Sequence, residues 1–134
     1  MNTLLKCYTR ADGFLISHAG VSQRLLFAEG LSSVDEYLDA GDYYQIGVSR
    51  GGLSPVGGLF WCDWRFEFDP ITDVPQIVGH TRNNHIRRMG NSYCIDVLDN
   101  YNPRCLLLQD DQVFVWNLDA NEIDSRYNIV VEEM

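Results

Sequence analysis

The chain has 134 residues, 46% hydrophobic and 12% aromatic, which suits one folded domain over residues 1–134 with a real core and excludes a disordered segment. Its 19 acidic against 10 basic side chains leave a formal charge of −9, which argues against nucleic-acid binding, because tracking phosphates needs clustered Lys and Arg. Such a surface suits cations or basic partners instead.

Arg82, Arg87 and Arg88, with His85 nearby, make a short basic cluster that is enough for one phosphate group and no more. Cys7, Cys62, Cys94 and Cys105 form no C-x-x-C pair, so they carry neither a zinc-ribbon nor a redox signal and are expected as reduced, buried thiols. "MNTLLKCYTR" is no secretory signal, and no run is long enough to cross a bilayer; the expectation is a cytoplasmic protein without a membrane partner.

In chain order, "DGFLISH" reads as a turn entering a short buried strand. Ser22 is the expected N-cap of the helix "QRLLFAEG", stopped by Gly30, and Ser32 or Ser33 caps a second, "VDEYLDAG". Residues 47–58, "GVSRGGLSPVGG", are too glycine-rich for a regular element and read as a loop. "LFWCDWRFEF" is expected to be partly extended, and "VPQIVGH" is a second buried strand. "HIRRM" and "SYCIDVL" flank a Gly90-Asn91 turn as hairpin arms; "RCLLLQDDQVFVWNL" is another hairpin, around Asp110-Asp111; and "RYNIVVEEM" supplies a last edge strand. The pattern predicts an α/β layered fold with a mixed sheet, two short helices near the N-terminus and mostly antiparallel strands after them.

Two of these strands end alike. "FLISHAG" and "PQIVGHT" each run into a histidine flanked by small residues, which let a ligand approach closely. Taken singly, each is more readily a satisfied, partly buried imidazole than a ligand.

The ordered set "LISHAGVS", "SRGG", "LFWCDW", "PQIVGHT" and "YCID" resembles the C-terminal half of the calcineurin-like metallophosphoesterases, in their bacterial and phage Ser/Thr-phosphatase-like branch. The resemblance runs from about residue 12 to residue 118 and implies half of that family's layered β-sandwich. It implies that His18 and His80 bind one metal (Mn, Fe or Zn) of a binuclear centre, neutral imidazoles suiting such ions. It implies that Arg50 contacts the substrate's phosphate, a task for which a planar guanidinium is fitted, the bland reading being a solvated loop arginine. Asp63 is expected to organise its loop rather than bind metal, and His85 to be a surface histidine. At the position where other branches carry a further ligand stands Arg82. Asp96 matches the Asp of "IDTG", but Val97-Leu98 replace Thr-Gly.

The family's remaining ligands come from D-x-H, G-D-x-x-D and G-N-H motifs, none of which occurs in these residues; Gly41-Asp42 meets Gln45, and Gly90-Asn91 meets Ser92. The resemblance therefore implies a half-enzyme: a phosphatase-type hydrolase portion, inactive alone, with metal weakly held or absent. A partner N-terminal half-chain would complete it, and that chain or a homo-oligomer would cover the apolar face a lone half exposes, with Phe60, Trp61, Trp64, Phe66 and Phe68 as part of that face or as ordinary core. Two other readings stand beside it: a non-catalytic acidic interaction or inhibitor protein on the same scaffold, and a phosphate-binding module using His18, His80 and Arg50.

Overall fold

The computed structural model describes residues 7–97 and 103–133. Among these the chain forms β1 (Tyr8–Ala11), β2 (Phe14–Ser17), α1 (Gln23–Ala28), α2 (Val34–Ala40), β3 (Gln76–Val78), β4 (Arg87–Met89), β5 (Ser92–Cys94), β6 (Arg104–Gln109), β7 (Gln112–Asn117), β8 (Glu122–Ile123) and β9 (Val130–Glu132). The result is sheet-rich with two short helices, as an α/β pattern requires. One sheet has the order β1-β2-β3-β5-β4-β9, the other β6-β7-β8.

Local chemistry explains each turn. Asp12 and Gly13 both have positive φ, as do Asp110 and Asp111, which is what two-residue hairpins need to follow the strand twist. Ser22 caps α1 by accepting from Arg24 N–H at 3.2 Å, and Ser33 caps α2 by accepting from Glu36 N–H at 3.1 Å. The Glu36 carboxylate reaches back to the Ser32 N–H and hydroxyl, which lowers its pKa.

The hairpins are antiparallel, but β3 is parallel to both β2 and β5, and β9 is parallel to β4. A hairpin announces its partner through its turn; isolated strands such as β3 and β9 do not. One further expectation is corrected. "LFWCDWRFEF" holds no strand but a run of turns, in which Trp64 and Phe68 stack with centroids 4.7 Å apart. Their spacing of four residues places both rings on one side of a coiled segment, where strand alternation would also have aligned the intervening Phe66, which is 62% exposed. Trp64 and Phe68 are thus core, and Phe60 and Trp61 are half-buried. Cys62 and Cys94 are buried as expected, while Cys7 is exposed and Cys105 half-buried; all four are free. Leu98, at the end of "SYCIDVL", and Met134 lie outside the described residues.

Two buried polar side chains tie the layers together. Gln76, wholly buried, accepts from Val21 N–H at 2.8 Å and donates to Val21 C=O at 2.7 Å, so its side-chain amide pairs both backbone groups of a residue in the segment between β2 and α1. Tyr37 accepts from Leu59 N–H at 3.1 Å and donates to Gln45 at 3.0 Å, joining α2 to the glycine loop. Burial pushes its phenol up, well beyond the usual tyrosine range. Tyr37→Phe removes the acceptor and strands a buried N–H, so urea denaturation should show a loss of about 1–3 kcal/mol.

The core has two parts. Leu15, Val21, Leu25, Leu26, Val34, Tyr37, Leu38, Val56, Leu59 and Ile71 pack the helices on the sheet, and Ala19, Cys62, Trp64, Phe68, Val78, Met89 and Cys94 fill the space beneath the coiled aromatic segment. Among the described residues, no helix is long and apolar enough to cross a membrane.

Candidate functional site

Three adjacent parallel strands, β2, β3 and β5, end at one edge of the larger sheet and carry His18, His80 and Asp96 just beyond their carboxyl ends. Ligand sites in open sheets favour such an edge. The backbone ties the first two together through Gly79 N–H, which donates to His18 C=O at 2.8 Å, while Ala19 N–H anchors the His18 side by donating to Leu59 C=O at 2.9 Å.

The imidazoles meet: His18 Nε2 lies 2.9 Å from His80 Nδ1, with ring centroids 4.8 Å apart. Nitrogens bonded to one metal at about 2.0–2.1 Å, at angles from square to tetrahedral, are separated by roughly 2.8–3.4 Å. The pair therefore fits two neighbouring ligand positions, and equally a single proton shared between rings. His18 is exposed and open to a ligand, while half-buried His80 is backed edge-on by Trp61. His80 Nε2 is buried without a hydrogen-bond partner among the described residues.

His80 has φ +72°, and Thr81 N–H donates across it to Gly79 C=O at 2.8 Å. This is a γ-turn of positive φ, a rare and strained conformation for a residue with a Cβ. Such strain persists only where the surroundings over-determine it, and it gathers at functional sites. Thr81 supplies part of that constraint through its hydroxyl, which accepts from Trp64 N–H at 3.0 Å.

Arg50 sits on a short 3₁₀ turn, Val48–Arg50, and donates through Nε to Asp63 at 2.8 Å. The other Asp63 oxygen accepts from Arg65 and Phe66 N–H, at 2.8 and 3.2 Å. Asp63 thus shapes two loops and holds Arg50 in place. It does not join the histidines.

Burial, then the charges of Arg50 and His18, hold the His80 imidazole below its ordinary pKa of 6.5, with Asp63 and Asp96 pulling the other way. The unfolded chain then binds the proton more readily than the native one. This contribution to stability is complete above about 6.5 and drains away as pH falls through the window below it. The urea midpoint should drop between about pH 7.5 and pH 5.5, and less steeply in His80→Gln.

Asp96 reaches the same edge but lies 3.9 Å from Arg82, and His85 is exposed. Among the described residues, no third His, Cys, Asp or Glu joins the pair to make a group that could hold a metal ion by itself. The strand-end histidines were legible in the sequence, and Trp61 only as part of an aromatic face, with no signal that its ring backs His80. Compared with known proteins, the chain matches no family model, no curated protein and no solved structure.

Proposed function

We propose that this chain carries the two-histidine portion of a divalent-metal phosphoester site of the calcineurin-like kind. His18 and His80 are the metal ligands and Arg50 the phosphate contact, on a scaffold corresponding to half of that family's layered sandwich. The observation that carries this reading is the 2.9 Å approach of two imidazoles 62 residues apart, one of them in a strained turn.

A divalent cation (Mn, Fe or Zn) held there supplies Lewis-acid stabilisation of a phosphoryl group. His18 and His80 would hold it as neutral imidazoles, and Asp63 fixes the Arg50 guanidinium through Nε, leaving its other N–H groups without a hydrogen-bond partner among the described residues to meet an anion. The motifs that supply the carboxylates of such a centre do not occur in these 134 residues, so on this reading they come from other sequence and not from a second copy of the same residues. With no third ligand in the described group, the pair alone binds metal weakly and turns over no substrate.

Calorimetric titration with Zn²⁺ or Mn²⁺ tests the site, with His18→Ala as the control that should lose the signal. Robust hydrolysis of an aryl phosphate by these residues alone, with manganese added, refutes the half-site reading. The charge of −9 favours a second reading, an acidic non-catalytic protein that covers a basic partner. That reading predicts no difference between wild type and His18→Ala in the titration.

A further inference from the structure

Arg87 is a cation where the fold has little use for one. It lies on β4 opposite Cys94, itself opposite Val78 of β3, in a row that faces the aromatic core. Only 1% of it is exposed, and its Nε and Nη1 have no hydrogen-bond partner among the described residues. Among the described residues the nearest carboxylate, Glu132 on β9, is 4.0 Å from Nε, and the guanidinium carbon stands 6.0 Å from the centre of the Trp64 ring. An apolar side chain of similar volume is the cheaper occupant of such a place, so general stability does not account for an arginine there.

What the side chain does reach is the histidine turn. Nη2 donates to the Thr81 carbonyl and lies 3.1 Å from Cys94 Sγ, which in turn lies 3.5 Å from the Gly79 and Thr81 carbonyls. Thr81 is thereby held at its N–H by Gly79, at its hydroxyl by Trp64 and at its carbonyl by Arg87. Of these three, the charge-assisted bond is the strongest, and it comes from the buried side. The residue so clamped follows directly on His80.

We propose that Arg87 is the positioning residue of the histidine pair: it holds the Thr81 carbonyl from inside the sheet and so keeps His80 in its γ-turn with its ring against His18. This rests on the pair being the functional unit of the protein, and adds a part that the pair's own residues do not contain. Arg87 touches neither ligand nor substrate. It acts through the backbone.

The test is nitrogen-15 spectroscopy of the imidazole rings in metal-free protein, comparing wild type, Arg87→Met, Arg87→Lys and His80→Gly. Arg87→Met should keep a dispersed amide spectrum while its His18 ring resonances move to where His80→Gly places them; Arg87→Lys, which retains a donor, should restore the wild-type positions. His18 resonances unchanged in Arg87→Met overturn the proposal. Should Arg87→Met not fold, wild type decides, through the scalar coupling between the Arg87 guanidinium nitrogen and the Thr81 carbonyl carbon; its absence overturns the proposal equally. Because no metal enters this readout, a wild-type chain that binds no cation refutes the metal site and leaves the role of Arg87 to be judged separately.

Discussion

Gly52→Ala is expected to be severely damaging, lowering stability by about 3 kcal/mol or more in urea denaturation. A Cβ at this position would lie 2.0 Å from the Ile46 carbonyl oxygen and 2.5 Å from its carbon. Both are backbone atoms, so no rotamer relieves the clash. The approach is fixed on either side, since Gly52 N–H donates to Gly47 C=O and Ser54 N–H to Ile46 C=O, each at 3.0 Å. The neighbouring Gly51 makes the control. Its Cβ would enter open space, and its φ of +82° costs a side chain only about 1–3 kcal/mol of strain. Equal losses in the two variants would show that the loop yields, and that the close packing of residues 46 and 52 holds nothing in place. Arg50 lies between them in this loop, so Gly52→Ala should also free it from Asp63.

His80→Gly should separate function from fold. Glycine adopts a φ of +72° without penalty, which releases strain of about 1–3 kcal/mol. Against that stand the lost packing of a half-buried ring and the greater freedom of an unfolded glycine. The terms nearly cancel, and the unfolding free energy should stay within about 1 kcal/mol of wild type. Zinc affinity should nevertheless fall by more than about 100-fold, since losing even an outer hydrogen bond to a metal ligand costs about 10–100-fold. A large loss of stability with little change in zinc binding would make His80 an ordinary packing residue.

The parts of this fold that were legible in advance are those written in neighbouring residues. Serine before an apolar run marked both helix starts, Asp-Gly marked a turn and Asp-Asp a hairpin, each with the positive φ values that such turns require. The two histidines were legible because strand, small residue and imidazole follow one another directly. Their mutual contact was not, because it depends on β2 and β3 lying side by side in parallel, which no local signal encodes. Long-range polar ties were hidden for the same reason. Gln76 reads as one more strand residue until Val21 is seen beside it, and Arg87 reads as part of a basic cluster until it is found beneath Thr81. The aromatic segment misled because density of rings suggests a strand, whereas the Asp63 carboxylate, by capturing two backbone N–H groups, bends it into turns.

That His18 and His80 are 62 residues apart along the chain has a thermodynamic corollary. An open coil brings such distant imidazoles together only rarely, so the paired rings are a property of the native state. Any cation they capture must then raise the melting temperature in proportion to the logarithm of its free concentration, and must leave in the same cooperative transition as the sheet.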